Sequence, residues 1–393
     1  DLDRLRSWKQ SVVERLTGGL GQLTKRRKIE YIHGDATFRD AKSVQVALAD
    51  GGSRTLEFEH AIVATGSRAA RIPALDIGSP RVMTSREALE LDSIPETMLV
   101  VGAGYIGLEL GSVYNALGTR VSVVEMLPGI LPGADRDLVK TLAGRIEKSF
   151  EAVLLNTKVK SLEETDGGVA VVFEGENAPD GSQRYDTVLV SIGRLPNSGG
   201  FGLDNTRVVV DKRGFIEVDG QMRTAEPAIF AIGDVVGEPM LAHKASHEGR
   251  TAVEALAGEK AFFEPNAIPA VIFTDPEIAW CGLTEEEAKK NNIEVKVAKF
   301  PWAASGRALT LERTDGLTKL LIDPSTDRIL GVGIAGAGAG EMIAEGVLAI
   351  EMGANASDLR LTIHPHPTLS ETLMEAAEVY FGTATHLYRP KRK

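Results

Sequence analysis

Apolar and polar positions alternate with three different rhythms along this chain. Between residues 29 and 63 the period falls toward two, with Tyr31, Phe38, Val44, Val46, Leu48, Leu56 and Phe58 separated by Gly34, Asp50, Gly51 and Gly52. That pattern predicts a small antiparallel meander, followed by a buried strand at 62–64. Ahead of it, Leu2, Leu5, Trp8, Val12 and Leu16 form a helical stripe expected to end before Gly18 and Gly19, with nothing capping its start. From residue 98 the rhythm changes. Leu99, Val100 and Val101 are apolar without alternation, as in a parallel strand buried on both faces, and a glycine turn, a helix and a second strand at 121–124 follow. A helix is predicted over 136–151 and strands at 152–155, 159–163, 169–173, 188–191, 214–218 and 229–232. Beyond about residue 262 the pattern suits an antiparallel sheet (271–273, 278–280, 295–300, 318–322, 329–334) with helices at 284–290, 341–352 and 369–378, a separate α+β domain. The expected class is therefore α/β with a Rossmann-like domain, plus this α+β part.

The turn after the 98–101 strand carries the first chemistry. Gly102, Gly104 and Gly107 stand at G-x-G-x-x-G spacing. The first glycine permits the tight turn, the second admits a pyrophosphate, and the third lets helix pack on strand. The helix N-terminus would hold the anion without a basic side chain. Glu125 ends the second strand about 20 residues on, where an acid binds the ribose 2′-hydroxyl and repels a 2′-phosphate, which favours NAD over NADP. A bare structural turn is the competing reading, but strand, helix, second strand and acid fall in register. Gly111 and Gly118 read as packing and C-cap glycines, whereas Glu109 is either solvated or within reach of a nicotinamide.

Other strand ends are more ambiguous. Thr65, Gly66 and Ser67 close one strand in a tight turn at a sheet's carboxyl end, and 192–197 closes another with Gly193, Arg194 and Pro196. Asp234, just after the 229–232 strand, either caps a helix or binds a ribose or ribityl hydroxyl. Two of the seven histidines, His364 and His366, share a proline loop ahead of Glu371, which is placed about one turn into the next helix. A carboxylate reaching back to a loop histidine orients its ring and raises its basicity, as in a general base. Solvated turn histidines or a metal site are the alternatives, the latter lacking a third ligand.

Composition narrows the classes. A chain of 393 residues is long enough for two or three domains. The net charge of -11 argues against nucleic acid as the main partner, and the basic run from Arg389 to Lys393 reads as a solvated terminus. No apolar run approaches the ~20 residues of a membrane span. With Cys281 as the single cysteine there is neither a disulfide framework nor a C-x-x-C pair, consistent with a reducing, cytoplasmic setting, although the opening residues leave room for an upstream targeting segment.

Taken in order, the motifs ATGS at 64–67, VVGAGYIGLELG at 100–111, IGRLPN at 192–197, FAIGDVVGEPMLAHKASHEG at 230–249, FPWAASGRA at 300–308 and HPHPTLSE at 364–371 resemble the flavin-dependent pyridine nucleotide-disulfide oxidoreductases. Within that family they are similar to the members that oxidise protein-bound dihydrolipoyl groups. The resemblance covers essentially the whole chain. It implies residues 1–74 as the remainder of an FAD domain, 75–198 as an NAD domain, 199–262 as a central FAD-contacting segment and 263–393 as a dimerisation domain. It also implies FAD contacts at Ala36, Gly66, Arg194, Asp234, Met240, Leu241, Ala242 and His243. NAD contacts fall on Gly102, Gly104, Tyr105, Ile106, Gly107, Glu109, Glu125, Val159 and Gly193. His366 would be the acid/base and Glu371 its orienting partner. The implied partners are a second copy, so a homodimer, and the lipoyl domain of a 2-oxo acid dehydrogenase complex acyltransferase; no metal is implied.

One departure matters. The family's N-terminal glycine unit for the ADP half of FAD and its redox cysteine pair have no counterpart here, and Cys281 matches neither thiol. The expectation is a chain truncated at its N-terminus, with weak or no FAD binding and no dihydrolipoyl turnover as it stands, while NAD binding can survive. A non-catalytic NAD-binding or assembly subunit is the alternative from another class, and a flavin-free NAD dehydrogenase a third.

Overall fold

The computed structural model describes residues 1–387, so the 389–393 run lies outside the described residues. The chain divides into two compact units, one of residues 1–70, 90–93 and 194–264, the other of 71–89, 94–193 and 265–393.

The first unit opens with the helix Leu2–Arg26, none of whose residues is buried. It is longer than its stripe suggested and runs through Gly18, Gly19 and Gly21. Glycine weakens a helix by about 1 kcal/mol without stopping it. Its start is capped after all, since Asp1 accepts the Arg4 N–H at 3.0 Å. Gly34–Asp40, Ser43–Leu48 and Ser53–Glu57 then form the expected antiparallel meander. Ala61–Val63 pairs in parallel with Ile229–Ala231, and Ser67–Ala69 antiparallel with Arg194–Pro196. Phe38, Val63, Leu203, Ile216 and Ile229 form the core between them. The strand expected at 214–218 is only a single bridge between Val210 and Ile216. Asp211 accepts the N–H groups of Arg213 and Phe215, both at 2.8 Å, and so uses in a turn the donors a ladder would need.

The second unit holds three sheets, two of them five-stranded. One is parallel, with strands in the order Val82–Met83, Thr187–Val190, Thr97–Val101, Arg120–Val124 and Ala152–Leu154. Leu99, Val101, Val124 and Val188 are buried in it, as continuous apolar strands require. Thr157–Thr165, Gly168–Gly175 and Ser182–Tyr185 make an antiparallel sheet beside it. The other large sheet is antiparallel, in the order Ala270–Ile272, Glu277–Gly282, Ile329–Gly336, Leu317–Ile322 and Lys296–Pro301. The helices Ala339–Glu351 and Glu371–Phe381 pack on it around Phe300, Trp302, Ile334 and Leu373. Among the described residues no helix is long and apolar enough to cross a membrane.

Candidate functional site

The strand order of the parallel sheet reverses direction at Thr97–Val101: the chain moves outward through Arg120–Val124 and Ala152–Leu154, then returns to place Thr187–Val190 on the other side. The crevice beyond the carboxyl ends of the two inner strands is where open α/β sheets take ligands. Gly102, Gly104 and Gly107 lie there with Ser191 and Gly193. A Cβ on Gly102, where φ is +98°, would stand 2.6 Å from the Ser191 carbonyl oxygen, and one on Gly107 would stand 2.3 Å from the Gly102 oxygen. At Gly104 a Cβ would meet nothing within 4 Å. So the outer glycines are required by packing, and the middle one borders open space, as a pyrophosphate cradle needs. The helix Tyr105–Ala116 starts on Gly104 with no side-chain cap, which leaves its first N–H groups for an anion. Ile106 lies in its first turn and Tyr105 is exposed at its start.

Glu125 ends the second strand as expected but is 7% exposed. Its Oε2 accepts the Ala103 N–H and its Oε1 the Leu127 N–H, each at 2.9 Å. A carboxylate has about four acceptor positions, so room remains for a ribose hydroxyl. Glu109 is no solvated helix residue. The Phe273 N–H donates to it at 2.8 Å, and burial outweighs that bond and raises its carboxyl. Val159 is half-buried in the adjoining sheet, and Gly193, at φ +121°, is exposed.

In the first unit, the Ser67 hydroxyl donates to Asp234 Oδ2 at 2.5 Å, and Arg194 donates through Nε to the Ser67 hydroxyl at 2.7 Å and through Nη2 to its carbonyl at 2.8 Å. Asp234 sits in the turn Gly233–Val235 and is not the cap of the following helix, Ala242–Leu256, whose N-cap is Leu241 without a side-chain bond. Ala242 and His243 are exposed in the first turn of that helix, and Met240 and Leu241 precede it half-buried. Ala36 is exposed on the meander, and Gly66, at φ +68°, borders open space.

His366 and Glu371 meet. His366 Nδ1 lies 2.9 Å from Glu371 Oε1, and the ring is 73% exposed. Glu371 is the first residue of its helix, not one turn in, which lets Oε2 accept the Thr368 N–H at 2.7 Å. Burial pushes the Glu371 carboxyl up, but the Thr368 N–H and His366 outweigh it and hold the group below its ordinary range. An ionised Glu371 only accepts, so Nδ1 carries the proton and Nε2 is left as the base. His364 instead turns its Nε2 to Glu345 at 2.7 Å with its ring 4% exposed, which separates it from its neighbour's role. Among the described residues no three His, Cys, Asp or Glu side chains are grouped as metal ligands.

The sequence profile of the pyridine nucleotide-disulphide oxidoreductases matches residues 3–249, and that of their dimerisation domain matches residues 268–377. The chain belongs to this family. It is 48% identical over 393 residues to a dihydrolipoyl dehydrogenase of Haemophilus influenzae, covering all of this chain and 82% of that protein. It is 45% identical over 387 residues to one of Geobacillus stearothermophilus, covering 98% and 82%. Among solved structures it resembles the HOCl-induced flavoprotein disulfide reductase RclA of Escherichia coli at TM-score 0.88 and 27% identity, covering 96% of this chain and 85% of that one. LpdA of Mycobacterium tuberculosis matches at TM-score 0.88 and 25% identity, covering 96% and 83%.

Several residues around these sites lie in stretches the sequence marked, but were given no role of their own there. Ser67 joins Arg194 to Asp234. Lys244 and Glu248, one turn apart in Ala242–Leu256, form a buried pair at 2.7 Å, and Glu248 also accepts the Gly233 N–H beside Asp234 at 2.7 Å. The i, i+4 spacing of opposite charges could have flagged this pair, though its usual meaning is a solvated face.

Proposed function

We propose that the protein works as a dihydrolipoyl dehydrogenase: it oxidises the two thiols of a protein-bound dihydrolipoyl group to a disulfide, NAD+ takes the two electrons and one proton to become NADH, and the second proton is released to solvent. The observation that carries this reading is the His366–Glu371 couple, an exposed histidine whose Nδ1 is held by an ionised, backbone-anchored carboxylate. In this reading Nε2 of His366 takes the proton from the attacking thiol. Glu371 orients the ring and stabilises the imidazolium that forms. Gly104 and the start of Tyr105–Ala116, with Ile106 and Gly107, take the pyrophosphate of NAD. Glu125 takes the ribose, and Glu109, Val159 and Gly193 line the rest. Asp234, supported by Ser67 and Arg194, takes the ribityl chain of FAD, with Ala36, Gly66, Met240, Leu241, Ala242 and His243 as further contacts. The uncapped, exposed start of Ala242–Leu256 and the open space at Gly66 fit a flavin there. When bound, the flavin supplies the path for the electron pair from dithiol to nicotinamide.

The four-part division at residues 74, 198 and 262 belongs to the same reading, as do the homodimer, the cytoplasmic setting and service to a 2-oxo acid dehydrogenase complex through its lipoyl domain. One cysteine cannot form a disulfide within the chain, and Cys281 is 1% exposed with its thiol pushed up to about 12 by burial. These 393 residues therefore do not contain the redox pair, and turnover is expected only from a protein that also carries it. The test is His366→Gln in such a protein. Dihydrolipoamide oxidation is expected to fall by roughly 10²- to 10⁴-fold, while NADH still reduces an artificial electron acceptor, a reaction that needs no thiol base. Near-normal dihydrolipoamide turnover removes His366 from the mechanism.

A further inference from the structure

A lysine lies fully buried in the middle of the C-terminal sheet. Register places Trp280, Gly333, Lys319 and Lys299 side by side across four strands, so one row of the sheet points two ammonium groups the same way. That face is covered by the helix Arg136–Ser149, whose Leu138 fills the space over Gly333. Lys319, its side chain 0% exposed, reaches Asp135 at 2.6 Å, Asp137 at 2.7 Å and Glu285 at 3.3 Å, and Lys299 reaches Asp137 at 2.5 Å. Asp135 is the N-cap of that helix and Asp137 lies in its first turn.

What precedes this helix is the loop that returns from Glu125 to the glycine turn. Arg136 donates to the carbonyls of Leu131 at 2.9 Å and Ile130 at 2.8 Å, and the Leu131 N–H donates to the Ala103 carbonyl at 2.9 Å. Ala103 is thus held at both ends, its N–H by Glu125 and its carbonyl by Leu131. It stands between Gly102 and Gly104.

We propose that Lys319 is a positioning residue for the pyridine nucleotide: from the C-terminal sheet it fixes Asp135 and Asp137, and through the 126–134 loop it sets the Gly102–Gly107 turn against the dinucleotide. The inference rests on the nucleotide reading above. A buried ammonium suits the task because its three donors all have carboxylate partners, and no water competes for them. Losing it leaves Asp135 buried without a cation and Asp137 with Lys299 alone, so the helix start relaxes outward and carries the loop with it.

The experiment compares full-length wild type, Lys319→Met, Lys299→Met, Asp137→Asn and, as a control, Phe300→Leu, which thins the same sheet without touching the network. Each is titrated with NADH by calorimetry well below its melting temperature. Lys319→Met is expected to weaken NADH by about tenfold, and by less than the product of the single effects when combined with Asp137→Asn, the mark of a shared network. In turnover KM for NAD rises while KM for dihydrolipoamide holds. If Lys319→Met does not fold, Lys299→Met, which removes only the outer arm on Asp137, shifts NADH in the same sense by a smaller factor. Unshifted affinity in both variants overturns the proposal, as does an equal loss in a Phe300→Leu protein of matched stability. A wild-type protein that ignores NADH overturns instead the nucleotide reading on which the proposal stands.

Discussion

Alanine at Gly107 and at Gly104 should do opposite things. At Gly107 the new methyl would stand 2.3 Å from the Gly102 oxygen, 2.5 Å from Ser191 Oγ and 2.9 Å from a Val100 methyl. Carbon needs about 3.5 Å from such neighbours, so strand and helix must part by about 1 Å. Overpacking of this kind costs typically about 1–3 kcal/mol, against up to ~1 kcal/mol that alanine gains over glycine inside a helix. Because the closest atom is a backbone oxygen that cannot swing aside, the cost falls at the upper end and the net is a loss of about 2 kcal/mol. At Gly104 no atom lies within 4 Å of the new methyl, and φ -74°, ψ 177° is backbone that any residue adopts. Stability there should stay within about 1 kcal/mol. The methyl instead projects into the space a pyrophosphate would take, so NADH should bind at least about tenfold more weakly. Urea unfolding and NADH titration on both variants separate the two effects. Undiminished NADH binding by Gly104→Ala would refute the cradle, and unchanged stability of Gly107→Ala would refute the packing argument.

Three further outcomes follow from named groups. Glu371 is depressed below its ordinary 4.5 in the folded state, so its contribution to stability is complete above pH 4.5 and fades as pH falls through the folded value; Glu371→Gln should cost roughly 1 kcal/mol at pH 7, and the gap from wild type, followed by thermal melts, should close in acid. Cys281, buried with its thiol pushed up to about 12, should ignore a chromogenic disulfide reagent until the protein is unfolded, and rapid labelling of the native protein would contradict its burial. If a ribose sits against Glu125 as proposed, its carboxylate repels a 2′-phosphate, so NADH should bind more tightly than NADPH, and equal affinities measured in the same titration would sink that assignment.

How much of this was legible depends on what each element has to bury. The strands of the parallel sheet show in sequence because both faces are covered, which forces runs such as Met98–Val101 and Val121–Val124, and the glycine spacing marks the turn between them. Ser182–Tyr185 did not show, being a polar edge strand with one neighbour. The helix Ala242–Leu256 was equally silent, because its inner face carries Lys244 and Glu248 where a stripe of leucines would have announced it. Lys319 reads in sequence as one outward residue in the strand Leu317–Ile322; only the helix brought over the sheet by Leu138 and Gly333 makes it an interior charge. The His366–Glu371 couple was visible in kind but misplaced by a turn. The helix expected from residue 369 starts at Glu371, so the proline loop runs two residues further than expected.

That displacement changes what the carboxylate is for. Were Glu371 one turn into a helix, it would have a single partner and freedom to swing. At the helix start it faces the Thr368 N–H with one oxygen and His366 with the other, and the helix dipole favours its charge. Glu125 is built on the same plan at a strand end, both oxygens taken by backbone N–H groups. In each case a backbone amide fixes the orientation of the acid before any ligand arrives, so little is lost in ordering it later. For His366 the consequence is a fixed tautomer: with an acceptor locked against Nδ1, the proton cannot move to Nε2, and the nitrogen that would meet a thiol in the proposed reaction is the basic one.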